Sequence, residues 1–181
     1  MHQQVKEGAV QEVVLKGGRG STKSSYAAIE LVLQLIKHKN CHGVALRKVG
    51  GTLRTSVFAQ IWWAISALGM ESEFKRTVSP MEITRKNTGQ KILFFGLDDA
   101  GKLKSIKLPF GYVGIVWFEE LDQFAGEEEI RNVEQSLFRG GKYSFCIKSF
   151  NPPISPRNWA NQWVLQNTCY KLPQKSTNMN I

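Results

Sequence analysis

The chain has 181 residues, of which 42% are hydrophobic and 10% aromatic, enough for one domain with a real core. No apolar run approaches the ~18 residues of a membrane span, the N-terminal Met-His-Gln-Gln-Val-Lys-Glu lacks a signal core, and Cys41, Cys146 and Cys169 form no paired metal spacing. These features exclude a membrane protein, a secreted disulfide scaffold and a zinc module, and a reduced cytoplasmic protein is expected. The net charge is +9, yet residues 119–134 hold seven acids and one base, a local −6, so the remainder carries +15. A basic body of this kind points to a polyanionic partner, most simply nucleic acid, with a lysine-rich soluble surface as the alternative.

Residues 13–16, Val-Val-Leu-Lys, read as a first buried strand. The loop that follows, Gly17-Gly18-Arg19-Gly20-Ser21-Thr22-Lys23-Ser24, is almost a phosphate-binding P-loop. Its spacing matches Gly, four residues, then Gly-Lys-Ser/Thr, except that Thr22 replaces the second glycine. A glycine-rich turn between strand and helix aims backbone N–H groups and a helix N-terminus at an anion. In that reading Lys23 reaches the β/γ-phosphates and the Ser24 hydroxyl ligates Mg²⁺. The alternative is a basic turn without a ligand.

Residues 25–39 carry Ala28, Ile29, Val32, Leu33, Leu35 and Ile36 at helical spacing, with cations in the last turn. Residues 43–47 read as a second strand and 52–68 as a second long helix. Residues 81–85 and 91–95 flank Asn87-Thr88-Gly89, a hairpin signature. Residues 112–118 form a continuous apolar run, the pattern of a strand covered on both faces. A helix over 130–138 and a strand over 143–150 follow, and the polar tail 173–181 is expected to fray. Strands alternating with helices predict an α/β fold, a mostly parallel sheet with helices on both faces. Ligands in such folds gather at the carboxyl ends of strands. Lys23, Arg47-Lys48, Glu119-Glu120 and Asn151 all fall at such ends.

Glu119 and Glu120 close the apolar run. A nucleotide hydrolase needs an acid at a buried strand end to hold Mg²⁺ and a group to orient water. Consecutive side chains point in different directions, so Glu119 is assigned to the metal and Glu120 to the water. The alternative is two solvated acids. Ser149 and Asn151 end the neighbouring strand, where a polar group can sense the γ-phosphate and couple hydrolysis to an adjoining segment. Asn151-Pro152-Pro153 is also simply a strand stop. Arg19 can contact phosphate from within the loop. Arg131 and Arg139 lie on a predicted helix, either as surface charges or as arginine fingers entering a neighbour's site in a ring. Arg47, Lys48 and Arg54 suit either phosphate or DNA backbone. Trp62, Trp63, Trp159 and Trp163 read as core or lid packing.

These residues together resemble the large terminase subunits of tailed bacteriophages, in the PBSX-like branch. The resemblance is carried by Gly17–Ser24, then Arg47-Lys48 with Leu53-Arg54-Thr55-Ser56-Val57-Phe58, then Phe95-Gly96-Leu97-Asp98-Asp99 with Lys102-Leu103-Lys104-Ser105-Ile106. Trp117-Phe118-Glu119-Glu120, Arg131-Asn132-Val133-Glu134-Gln135 with Leu137-Phe138-Arg139-Gly140-Gly141, and Phe150-Asn151-Pro152-Pro153 complete it. The resemblance implies a P-loop NTPase of the RecA/ASCE type that uses ATP and Mg²⁺ to drive double-stranded DNA into an empty capsid. It implies an Asn-Pro-Pro coupling motif, a homo-oligomeric ring on the portal of the procapsid, and a small terminase subunit that delivers DNA. It places the protein in the cytoplasm of the infected bacterium, at the portal, and not in the mature virion. Residues 1–165 are expected to form the ATPase domain and 166–181 a polar tail or the start of a lid. The family's RNase H-like nuclease domain is not expected in this chain, because no separated acids follow Asn151, and Asp98 and Asp99 read as a loop. Two alternatives stay open: another P-loop DNA motor, and a degenerate P-loop adaptor that binds DNA or capsid without hydrolysis.

Overall fold

The computed structural model describes residues 11–99 and 101–167. Cys169 and the tail over 173–181 lie outside the described residues. Seven strands form one sheet in the order β1-β7-β6-β2-β5-β4-β3. They are β1 (Gln11–Lys16), β2 (Cys41–Arg47), β3 (Phe74–Val78), β4 (Met81–Arg85), β5 (Lys91–Gly96), β6 (Tyr112–Glu119) and β7 (Phe145–Phe150). The five strands from β1 to β5 in that order run parallel, and β4 and β3 extend the sheet as antiparallel neighbours. The helices are α1 (Lys23–Lys37), α2 (Ala59–Ala67), α3 (Gly101–Lys104), α4 (Glu127–Leu137) and α5 (Trp159–Asn167). The α/β expectation holds.

Alternation along each strand builds two cores. Ala45, Ile115, Trp117 and Ile147 face α1 and α2 through Ala28, Leu31, Leu35, Ile61 and Ile65. Val44, Leu46, Val116, Phe118 and Cys146 face the other way, against Leu103 of α3, Ile130 and Val133 of α4, and Trp163 of α5. Every residue of β2 and β7 is buried, as expected of strands covered on both faces. Between them, β6 inserts Trp117 and Phe118 at 0% exposure. Full burial of side chains that size stabilises the sheet by about 1.5–3 kcal/mol each.

Three elements depart from expectation. Residues 52–68 are not one helix: a 3₁₀ turn at Gly50–Thr52 and a wide π turn at Arg54–Phe58 precede α2. In the π turn the Phe58 N–H reaches Leu53 O at 3.0 Å, which buries Leu53, Val57 and Phe58 together. Strand β3 escapes prediction because it is an edge, with only Phe74 buried among charged and polar neighbours. Helix α5 escapes it because Trp-Ala-Asn-Gln-Trp-Val-Leu-Gln-Asn mixes polar and aromatic residues without a clean stripe; it runs through residue 165. The Gly50 N–H approaches both Asp98 carboxylate oxygens at 3.2 Å, which ties the loop after β2 to the loop after β5. A Cβ at Gly96 would sit 2.3 Å from Gly50 N, so only glycine permits that approach.

Candidate nucleotide-hydrolysis site

The carboxyl ends of β1, β6 and β7 border one open cavity of about 400 Å³. Its lining includes Arg19 through Ser25 from the loop and first turn of α1, Glu119 and Glu120 after β6, and Ser149, Phe150 and Asn151 after β7. Strand β7 lies between β1 and β6, so three segments far apart in sequence meet across one neighbouring pair of ladders.

The loop from Gly17 to Thr22 is anchored where the Gly17 N–H reaches Phe150 O at 3.4 Å. Gly20 takes φ 77°, a left-handed conformation that glycine adopts without steric cost. Thr22 is also left-handed, at φ 58°, ψ 7°. A β-branched residue there is strained, by about 1–2 kcal/mol. Its hydroxyl turns back to Ser21 O at 2.7 Å, and the residue is exposed at the border of the cavity. Helix α1 therefore starts without a side-chain cap and without an acid in its first turn. Its leading N–H groups and positive dipole end face the cavity, an arrangement suited to an anion.

The Lys23 ammonium lies 2.8 Å from Gly17 O, Gly18 O and Ser21 Oγ, and 3.0 Å from Asn151 Oδ1. It has three protons for four acceptors. Lys23 thus closes the loop on itself and links it to the end of β7. Ser24 donates weakly to Glu119 Oε1 at 3.4 Å.

Glu119 and Glu120 are held by one arginine. Arg47, at the end of β2, places Nε 3.3 Å from Glu119 Oε2 and pairs through Nη2 with Glu120. Its Nη1 donates to Thr52 Oγ1. The Arg47 side chain is 11% exposed, Glu119 13% and Glu120 48%, so the clamp is buried on one side and wet on the other. Burial pushes the Glu119 carboxyl above the usual carboxylate range, and repulsion from Glu120 adds to this. Arg47 and the hydroxyls of Ser24 and Ser56 act the other way. Although Arg47 Nε is within ion-pair distance, Glu119 Oε2 is buried and accepts no aligned hydrogen bond. Glu119 Oε1, which faces the Ser24 hydroxyl and not Arg47, forms with that hydroxyl a hard donor set of the kind Mg²⁺ takes. Glu120 adopts φ 55°, ψ 53°, a left-handed backbone that turns the chain out of the strand at the cavity rim.

The other expected residues divide. Arg19 is exposed and borders the cavity. Ser149 borders it but is 2% exposed, with its hydroxyl accepting from Trp117 Nε1 at 2.9 Å. Arg131 is not brought to the cavity: it pairs with Glu127 at 3.1 Å, one turn away on α4, and is 63% exposed. Arg139 donates to Gln135 O at 3.3 Å and borders a groove with Tyr112 and Val113, at the opposite end of β6 from Glu119. Lys48 pairs with Glu129 at 2.6 Å, and Arg54 is exposed. Trp163 is buried and Trp62 and Trp159 are partly buried, as expected, whereas Trp63 is 46% exposed. Sequence reasoning misses Arg47 as a clamp on both acids; the available signal is a cation directly after the apolar run Val44-Ala45-Leu46, which demands a buried counter-charge.

Residues 10–180 match the family model described as "Phage terminase large subunit". The chain is 38% identical over 154 residues to the terminase large subunit of Bacillus phage SPP1, covering 82% of this chain and 36% of that protein. It is 35% identical over 151 residues to the PBSX phage terminase large subunit of Bacillus subtilis (strain 168), covering 80% and 32%. The chain thus spans about a third of the length of these curated relatives. Its fold is shared with the large terminase of a thermophilic bacteriophage, at TM-score 0.65 and 15% identity, covering 88% of this chain and 37% of that one. That phage protein is also known in complex with ADP.

Proposed function

Because this chain belongs to the phage terminase large subunit family, we propose that it is the ATP-hydrolysing part of a DNA-packaging motor, coupling hydrolysis to movement of double-stranded DNA into a procapsid. The observation that carries this reading is the meeting of Lys23, Ser24, Glu119, Glu120 and Asn151 around one cavity at parallel strand ends. The residues from Gly17 to Ser24 and the N-terminus of α1 bind the ATP phosphates. Lys23 exchanges its loop acceptors for phosphate oxygens. The Ser24 hydroxyl and Glu119 Oε1 would hold Mg²⁺, which when bound neutralises charge on the phosphates. Glu120 accepts a proton from the attacking water. Glu120 is ion-paired with Arg47, so that contact must loosen as Glu120 acts.

Arg19 approaches phosphate from the same subunit. Arg131 and Arg139 lie off the cavity and act, if catalytic, only from a neighbouring copy in a ring. Asn151 senses the site through Lys23, and Ser149 fixes the strand beneath it. The partners in this reading are double-stranded DNA, the portal and the small terminase subunit, at the portal in the infected cell. Among the described residues no helix is long and apolar enough to cross a membrane.

Steady-state ATPase assays of the wild type, Lys23→Ala and Glu120→Gln test the site. Wild-type hydrolysis with at least a tenfold loss in both variants supports it. Normal hydrolysis by both variants, or no nucleotide binding by the wild type, sinks it. Glu120→Gln that binds ATP as the wild type does, when neither hydrolyses, supports the non-hydrolysing adaptor. DNA retention should weaken steeply from low to high salt, since it rests on phosphate contacts.

A further inference from the structure

The segment from Asn151 to Asn158 leaves the cavity and enters α5. It contains Pro152, Pro153 and Pro156, which have no N–H to donate and a nearly fixed φ. Its carbonyls are instead gripped by side chains of α5. Asn161 Nδ2 donates to Pro153 O and to Ser155 O, both at 3.0 Å, and Gln162 Nε2 donates to Pro156 O at 2.7 Å. Asn158 caps the helix by accepting from the Ala160 N–H at 2.9 Å. Asn161 is only 6% exposed, and its Oδ1 has no hydrogen-bond partner among the described residues. Both amide protons therefore go to the proline segment, and among the described residues nothing else holds this buried side chain by hydrogen bonds.

Helix α5 is seated by side chains other than Asn161. Ala160 and Trp163 are buried, and Trp159 Nε1 donates to Phe124 O at 2.8 Å. The Lys148 ammonium lies 4.6 Å from the Trp163 ring centroid. At the other end of the segment, Asn151 Oδ1 accepts from Lys23. The chain of contacts thus runs from the phosphate-binding lysine, through Asn151 and a proline-stiffened segment, to a helix on the far face of the sheet.

Resting on the nucleotide site proposed above, we propose that Asn161 is a positioning residue that makes the proline segment and α5 one rigid arm. When phosphate draws Lys23 away from Asn151, the arm moves as a unit, and α5 reports site occupancy. Without the two Asn161 bonds the segment flexes internally, and the movement stops before α5.

The test is backbone hydrogen exchange of residues 159–167 in the 181-residue chain, with and without saturating ATPγS and magnesium, beside nucleotide titrations. In the wild type, ATPγS should change exchange in α5 at least threefold. In Asn161→Ala and in the more volume-conserving Asn161→Leu, affinity should stay within about twofold while the nucleotide-dependent change falls by more than half. A purely structural role would raise exchange equally with and without nucleotide, and that result, or a full wild-type response in the variants, overturns the proposal. Wild-type binding without any α5 response overturns it while leaving the nucleotide site standing. Absence of wild-type binding removes the site and this inference together.

Discussion

Arg47→Met removes the only cation that holds both Glu119 and Glu120 among the described residues. At 3.3 Å and an effective dielectric of about 20, the Arg47–Glu119 attraction is about 5 kcal/mol. Part is offset because Arg47 no longer has to be desolvated, and Glu120, half exposed, can turn to water. The larger limit is proton uptake by Glu119. A glutamate of ordinary unfolded pKa, about 4.3, can be protonated at pH 7 for about 3.7 kcal/mol and at pH 5.5 for about 1.6 kcal/mol. The variant should therefore lose about 2–4 kcal/mol at pH 7 and about half that at pH 5.5.

The sign follows from the direction of the shift. Burial raises the folded-state pKa of Glu119. A carboxyl raised in the fold contributes stability below its unfolded pKa, and that contribution is lost as pH rises through the folded value. Removing Arg47 raises the folded value further, so the variant should weaken more steeply with pH than the wild type. Urea unfolding of both proteins without nucleotide at pH 5.5, 6.5 and 7.5 measures this. A loss under about 0.5 kcal/mol at neutral pH, or one that does not change with pH, would refute the clamp.

Thr22→Gly should stabilise the chain by about 0.5–1 kcal/mol in the same assay, because relief of left-handed strain exceeds the added freedom of the unfolded glycine. Destabilisation would mean that Thr22 is held there by interactions stronger than its bond to Ser21. Ser149→Ala should cost about 1–3 kcal/mol by leaving the buried Trp117 indole N–H unpaired; an unchanged unfolding midpoint would remove Ser149 from the support of β7. Lys148 sits on the opposite face from Trp117, between Glu12 and Glu134, with a 4% exposed side chain. Burial favours its neutral form, but Cys146, Glu12 and Glu134 outweigh that and hold its pKa above the ordinary lysine value. Lys148→Met should cost about 2–3 kcal/mol, less than a fully buried triad because both acids are partly wet. Thermal denaturation with no shift would contradict a buried lysine bridge.

Local information carries much of this protein. The Gly17–Ser24 loop, the Glu119-Glu120 pair and the strand stop at Asn151 are contiguous runs whose chemistry is written in neighbouring residues. The parallel α/β pattern is likewise legible, because the buried strands are mostly apolar and α1 has a clean 3.6-residue stripe. The sequence alone therefore determines that three loaded segments end three strands, whereas the left-handed backbone at Thr22 is seen only in the fold. It does not determine which charges meet. Arg47 reads equally as a phosphate or DNA contact until the parallel pairing of β2 with β6 sets it against Glu119 and Glu120. Arg131 and Arg139 follow the acidic pair in sequence, yet α4 carries them away from the cavity.

Strand β3 and helix α5 escape sequence reading for a related reason: their stability comes from β4 beside one and from Phe124 and Lys148 beneath the other. The placing of β7 between β1 and β6 is likewise a tertiary decision, and it alone brings Asn151 to Lys23 across 128 residues of chain. Backbone periodicity and turn chemistry are short-range and survive in one dimension. Ion pairing and burial depend on which strands lie side by side, and only the folded sheet specifies that.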